Sequence, residues 1–297
     1  MLSIAAIMSV AAAQPLPAEV RAVIDAAVAS GDAQAVATVA RFARQAHPDS
    51  AADIEAIETA FRTAQNERQA VAARERQEML AAASLFDNWT GQVELGASRS
   101  TGRTDSLGFL GALSLERQGV RWRHNLVARA EIQETNDVRS TERILLSWQP
   151  RLRLDDRFYA FGLTQYDHDP FIGFDDRYTL GLGAGYALIA TPKARLDVEG
   201  GPAVRRESPI TGDATTSIAA RASADFRWQI APTLELKQNG SFYLEDATRS
   251  GTATTALDTR LLGDWRIRLS YELRYERAAL GEDFVDTTSR ATLLYSF

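Results

Sequence analysis

From Trp89 to the last residue, Phe297, apolar side chains fall on every second position of the chain. In 217–230, "SIAARASADFRWQI", Ile218, Ala220, Ala222, Ala224, Phe226, Trp228 and Ile230 share one face. Arg221, Ser223, Asp225, Arg227 and Gln229 share the other. In 265–276, "WRIRLSYELRYE", Trp265, Ile267, Leu269, Tyr271, Leu273 and Tyr275 oppose Arg266, Arg268, Ser270, Glu272, Arg274 and Glu276. A period of two specifies strands with one apolar and one polar face. Such strands also occur in soluble sheets. These runs, however, exceed the ~5–6 residues usual there and suit the ~9–11 residues of a tilted membrane-spanning strand.

Runs of this kind lie near 89–100, 105–117, 120–133, 141–154, 157–167, 177–189, 194–206, 216–230, 233–245, 255–263, 265–276 and 287–297. That is an even number of strands, as bacterial outer-membrane barrels require. The connections support the same reading. "QG" (118–119), "DD" (155–156), "TPK" (191–193), "APT" (231–233) and "GD" (263–264) are tight. "TNDVRS", "DHDPFIGFDD", "ESPITGDATT", "DATRSGTATT" and "ALGEDFVD", which alternate with them, are longer and polar. Barrels alternate short periplasmic turns with longer outside loops. Trp89, Trp122, Trp228 and Trp265 sit close to the tight-turn end on the apolar face, with Trp148 deeper. Tyr178 and Tyr275 are candidates for the opposite girdle, since amphipathic rings belong at the membrane–water interface.

The preceding region has a different period. Between 17 and about 80, three helical stripes recur: Val20, Val23, Ile24, Ala27 and Val28; Val36, Val39, Phe42 and Ala43; Ile54, Ile57 and Phe61. Breaks at "SGD" (30–32) and "HPDS" (47–50) offer Asp32 and Ser50 as caps. The apolar start "MLSIAAIMSVAAA" reads as a signal peptide ending in an A-x-A cleavage pattern, without the usual positive leader. The expected organisation is therefore a signal peptide (1–13), a periplasmic helical extension (14–85) and an all-β membrane barrel (86–297). The barrel is of the up-and-down type, with about twelve antiparallel strands. Localisation to a Gram-negative outer membrane follows. Net charge −6 argues against nucleic acid, and zero cysteines exclude disulfides and thiolate metal sites.

"WTGQVELGASRSTGRTDSLGF", "RYTLGLGAGYAL", "LSYELRYE" and the finish "ATLLYSF" resemble the salt-induced outer-membrane protein family over about 85–297. The resemblance implies an outer-membrane barrel and carries no established catalytic or binding residues. The finish also resembles the C-terminal signal read by the barrel assembly machinery, with Tyr295 and Phe297 as its aromatic residues. Outer-membrane lipids and that machinery are the partners expected. A periplasmic partner is the further candidate, met through 14–85.

No catalytic constellation emerges. His47 lies in a helical linker, and His124 lies on the apolar face at the tight-turn end. His168 sits among Asp167, Asp169, Asp175 and Asp176, a cation-site composition without fixed ligand spacing. A barrel phospholipase needs a Ser–His pair near the outer face, and neither histidine supplies one. No enzyme activity, cofactor or metal is expected. The chemistry lies on the inward parity: Arg121, Arg123, Arg129, Glu131, Arg151, Arg153, Arg195, Asp197, Glu199, Arg221, Asp225, Arg227, Arg266, Arg268, Glu272 and Arg274. These charges either interlock as a plug or line an anion-preferring path; interior ion pairs favour the plug. Gly181, Gly183 and Gly185 lack the spacing of a nucleotide loop. They read instead as a bare strip on the inner wall, giving room to arginines or to strand curvature.

Overall fold

The computed structural model describes residues 16–84, 87–100, 106–246, 248–277 and 283–297; the signal-peptide segment lies outside them. Two compact units divide between Met79 and Leu80.

The first unit is helical: α1 (Ala18–Ser30), α2 (Ala33–Ala46), a 3₁₀ turn (Pro48–Ser50) and α3 (Ala51–Ala82). Gly31, at φ 73°, closes α1 in the left-handed conformation that glycine adopts without steric cost. Asp32 then caps α2, its carboxylate accepting from the N–H groups of Gln34 (2.8 Å) and Ala35 (3.3 Å). Ser50 is buried in the 3₁₀ turn. Leu16, Ile24, Ala40, Ala43 and Ile54 form the core, with Val20, Val28, Val39 and Ile57 packed against it. Val23 and Phe42, expected on the buried stripes, are exposed instead. The pattern of apolar residues was broader than the face that finds a partner, and Arg41 covers the Phe42 ring. Among the described residues no helix is long and apolar enough to cross a membrane.

The second unit is a closed barrel of twelve antiparallel strands in sequence order. They are β1 (Trp89–Ser100), β2 (Ser106–Gln118), β3 (Trp122–Thr135), β4 (Val138–Arg153), β5 (Phe158–Asp169), β6 (Phe174–Ala190), β7 (Ala194–Pro209), β8 (Thr215–Ala231), β9 (Leu234–Leu244), β10 (Arg249–Leu262), β11 (Trp265–Arg277) and β12 (Asp283–Ser296). β1 pairs with β12, with Val93 opposite Tyr295. Two further bonds extend the seam: Gly91 N–H to the Phe297 carbonyl (2.8 Å) and Phe297 N–H to the Gly91 carbonyl (2.9 Å). Closure leaves no exposed sheet edge.

The end holding Trp89 and Phe297 is called here the lower end. Its turns fall at 119–121, 154–157, 191–193, 232–233 and 263–264. At the upper end the described connections after β3, β5 and β7 are shorter than the polar composition suggested. β3 and β4 are joined by Asn136–Asp137 alone, both at positive φ (51° and 62°), the signature of a type I′ hairpin turn. β5 and β6 are separated by a 3₁₀ turn at Pro170–Ile172 and by Gly173. The polar segments expected as loops keep pairing: Glu207 stands opposite Thr215, and Leu244 opposite Arg249. Hence β10 and β12 begin upstream of their expected starts.

The lumen as candidate functional site

Alternation along every strand sends one set of side chains outward and the other into the lumen. The outward set is apolar and uncovered: Ile218 is 75% exposed and Leu182 66%, with Leu95, Phe109, Leu180, Leu188, Leu269 and Val285 comparably bare. Trp122, Trp148, Trp228 and Trp265 all face outward and are exposed. Trp265 packs against Tyr295 at 5.0 Å between ring centroids, and Tyr166 against Tyr178 at 5.1 Å. Trp122, His124 and Trp148 stack as a ladder, each step 6.1 Å. His124 thus belongs to an external aromatic cluster.

Inside, the glycine strip of β6 is occupied. Register places Tyr159 opposite Gly185, Phe161 opposite Gly183 and Leu163 opposite Gly181. All three side chains are buried. A Cβ on Gly185 would enter the Tyr159 ring, and one on Gly183 would come within 2.9 Å of the Phe161 ring. The expected occupants, arginines from neighbouring or facing strands, are therefore replaced by the side chains of β5, the adjacent strand. Backbone closeness contributes too: a Cβ on Gly183 would also meet the Gly200 carbonyl of β7.

The charged side chains form linked clusters at successive heights. Near the top, Arg177 of β6 donates to Glu207 of β7 (2.6 Å) and across the lumen to Glu276 of β11 (2.7 Å), with its guanidinium over the Phe174 ring. Arg274 of β11 crosses to Asp169 of β5 (2.7 Å). Arg205 pairs with Glu245 and donates to Ser250 (2.9 Å). At mid-height, Glu272 of β11 receives Arg143 of β4 (2.7 Å), Arg129 of β3 (3.4 Å) and Arg290 of β12 (3.7 Å). Arg290 also grips Glu131 at 2.5 and 2.8 Å.

Lower down, two carboxylates organise separate sectors of the wall. Glu199 of β7 accepts from Arg151 (2.7 Å), Arg221 (3.2 Å), Gln149 (2.8 Å) and the Tyr159 hydroxyl (3.1 Å). Asp258 of β10, 1% exposed, accepts from Arg268 (2.7 and 2.8 Å) and Lys237 (3.0 Å). Arg268 continues to Glu94 of β1 at 2.7 Å. Buried charges persist only when paired; every carboxylate named in these clusters has a cationic partner, and the Arg143–Glu272, Arg274–Asp169 and Arg177–Glu276 pairs span the lumen.

Half of the inward charges expected from parity stand in these clusters. Arg123 (to Glu116, 3.4 Å), Arg195 (to Asp197, 2.6 Å), Arg227 (to Asp225, 3.2 Å) and Arg266 (to Glu235, 3.7 Å) lie nearer the lower mouth. Arg121 and Arg153 lie at that mouth, exposed. Arg143, Arg177, Arg205, Arg290, Glu94 and Asp258 were not singled out by the sequence. Each is a charge on the inward parity of a run already expected as a strand, so carrying the alternation through the whole of every run finds them. The acidic group around His168 disperses. Asp169 turns inward to Arg274, while Asp176 receives the Tyr166 hydroxyl (2.7 Å) and approaches His168 at 3.7 Å. Neighbours on a strand point to opposite faces, so sequence proximity does not assemble a cation site. Among the described residues no group of His, Asp and Glu could hold a metal.

Residues 93–297, well over half of the chain, match the family described as "Protein of unknown function, DUF481", and the chain belongs to that family. It is 24% identical over 213 residues to the uncharacterized protein YdiY of Escherichia coli (strain K12), covering 71% of this chain and 83% of the relative. Among solved structures it is similar to the NanC porin (12% identity, 69% of this chain and 98% of that chain, TM-score 0.46). It is also similar to the translocator domain of the autotransporter NalP from Neisseria meningitidis (13%, 78% and 96%, TM-score 0.43).

Proposed function

We propose that this member of the DUF481 family is an outer-membrane β-barrel whose lumen is interrupted by cross-strand ion pairs. The observation that carries the reading is the bare apolar exterior of a closed barrel with a charged interior. A soluble protein does not expose a continuous apolar belt of this extent. A bilayer requires both that belt and a sheet without edges. The short lower turns belong in the periplasm by the convention of bacterial barrels. The helical unit and export through a signal peptide fit the same side. Lipids of the outer membrane and the barrel assembly machinery are the partners of this reading. A contribution to envelope adaptation under salt or osmotic stress is its physiological form.

The interior supports a narrow or plugged lumen over an open anion path. Inward side chains join β11 to β3, β4, β5 and β6, and the interior space is divided into separate cavities, of about 130 Å³ beside Arg274 and Glu276, 210 Å³ beside Glu199 and 120 Å³ at the lower mouth. A second role is favoured by the helical unit having a core of its own: contact with a periplasmic partner, the barrel serving as anchor. The test of the membrane assignment is fractionation of the expressed chain. It should pellet with outer membranes, resist carbonate extraction and migrate differently when heated before electrophoresis. Recovery as a soluble periplasmic monomer would overturn it. Deleting 14–85 separates the two roles, since an anchor loses its phenotype while the barrel stays assembled.

A further inference from the structure

We propose that the lower mouth of the barrel is a binding site for a compact oxyanion of the phosphate type. A cavity of about 120 Å³ opens there, lined by Arg121, Arg123, Arg151, Arg153, Arg157 and Arg195. This goes beyond the membrane assignment and does not depend on whether the lumen above is closed.

Strand register makes the arrangement unfavourable without an anion. Arg123 of β3 and Arg151 of β4 are direct cross-strand partners, and Arg195 of β7 is the partner of Arg227 of β8. Arg121 and Arg153 are neighbours as well, the Arg153 N–H donating to the Arg121 carbonyl at 2.8 Å. Like charges directly opposite in a sheet destabilise it. In the clusters higher up, a carboxylate stands between such cations. Here compensation is partial. Glu199 takes Arg151 from above, Asp197 takes Arg195, and Glu116 reaches Arg123 at 3.4 Å. Among the described residues Arg121, Arg153 and Arg157 form no ion pair. Of the two acids in the lining, Asp155 spends Oδ1 on the N–H groups of Arg157 (2.7 Å) and Phe158 (2.6 Å).

Donors at the mouth also remain open: among the described residues the Arg121 and Arg157 side chains have no hydrogen-bond partner, and Arg153 spends one terminal nitrogen on the Val120 carbonyl (2.9 Å). An oxyanion seated among these guanidinium groups would accept from the free donors in the bidentate geometry that arginine favours. A cavity of about 120 Å³ has room for a single phosphate or pyrophosphate group.

The test uses the full chain refolded in phospholipid-free micelles and titrated calorimetrically with inorganic pyrophosphate at low salt. Binding is expected, weakening as salt rises. The combined variant Arg121→Gln, Arg153→Gln, Arg157→Gln should weaken it about tenfold or more, while Arg139→Gln at the upper end should leave it unchanged. Heat-dependent electrophoretic mobility reports folding. If the triple variant does not fold, Arg157→Gln alone, in a turn, is measured and should still weaken binding. A second arm adds labelled phosphatidylglycerol to the micelles. Lipid retention lost in the triple variant, without pyrophosphate heat, assigns the site to a headgroup; pyrophosphate heat without retention assigns it to a free anion. Neither signal in the native chain, or signals unchanged in the variants, would overturn the proposal.

Discussion

Arg143 on β4 and Glu272 on β11 meet at 2.7 Å across the lumen, from strands on opposite sides of the barrel. Glu272 is 5% exposed, and the carboxylates and guanidinium groups around it come from β3, β4 and β12. A barrel built this way is braced through its middle as well as along its hydrogen-bonded wall.

Replacing Glu272 by Gln keeps the volume and removes the charge that three arginines share. Leaving buried cations without a counter-charge costs about 3 kcal/mol or more. The variant should therefore show a lower urea midpoint in micelles. Adding Arg143→Gln and Arg129→Gln should recover part of that loss.

Gly185 and Tyr159 form a matched pair between β5 and β6. Gly185→Val should destabilise the barrel by about 1–3 kcal/mol through overpacking. Combining it with Tyr159→Ala should cost about 1 kcal/mol or more less than the two single changes summed, because one clash is counted in both. Equal additivity in a double-mutant cycle would contradict the contact.

Much of this was legible in the chain. The period of two gave the strand number and the face of each residue, because one slip would turn a whole apolar set inward. "LSYELRYE" stood out as charged on one face, and it supplies Glu272, Arg274 and Glu276, residues that bridge the lumen. Pairing between distant strands was not legible. Glu272 lies 129 positions from Arg143, and no local pattern links them. The filling of the glycine strip escaped for a related reason. Tyr159, Phe161 and Leu163 are apolar residues on the inward parity, opposite to the rule that marks the rest of the barrel. Only the register with β6 explains why they sit there.

Phe297 closes the seam against Gly91, where a Cβ would come within 2.7 Å of the ring and 2.8 Å of Leu115. Gly91→Val should lower the yield of barrel refolded in micelles, and Phe297→Ala should relieve part of that defect. If Phe297 also serves as an assembly signal, Phe297→Ala alone should reduce assembly in cells far more than refolding in micelles. Equal effects in both would assign the residue to packing alone.

Asp155 gives a pH-dependent prediction outside the membrane band. Hydrogen bonds from the N–H of Phe158 and then of Arg157 hold its carboxyl below the usual carboxylate range. The folded turn favours the ionised form, so its stabilisation is present above the unfolded value and fades as pH falls through the lowered folded one. Asp155→Ala should lower the thermal midpoint at neutral pH, and the gap to the native chain should close well below the ordinary carboxylate value of about 4. A gap that is constant from neutral to acid pH would contradict it.

Conductance across a planar bilayer tests the central claim most directly. The purified barrel should insert with no discrete openings, or only with openings far smaller than those of an open lumen. Glu272→Gln combined with Arg274→Gln, which removes two of the braces, should raise the current per insertion. Large, stable openings in the native protein, unchanged in the variant, would contradict a lumen held closed by ion pairs.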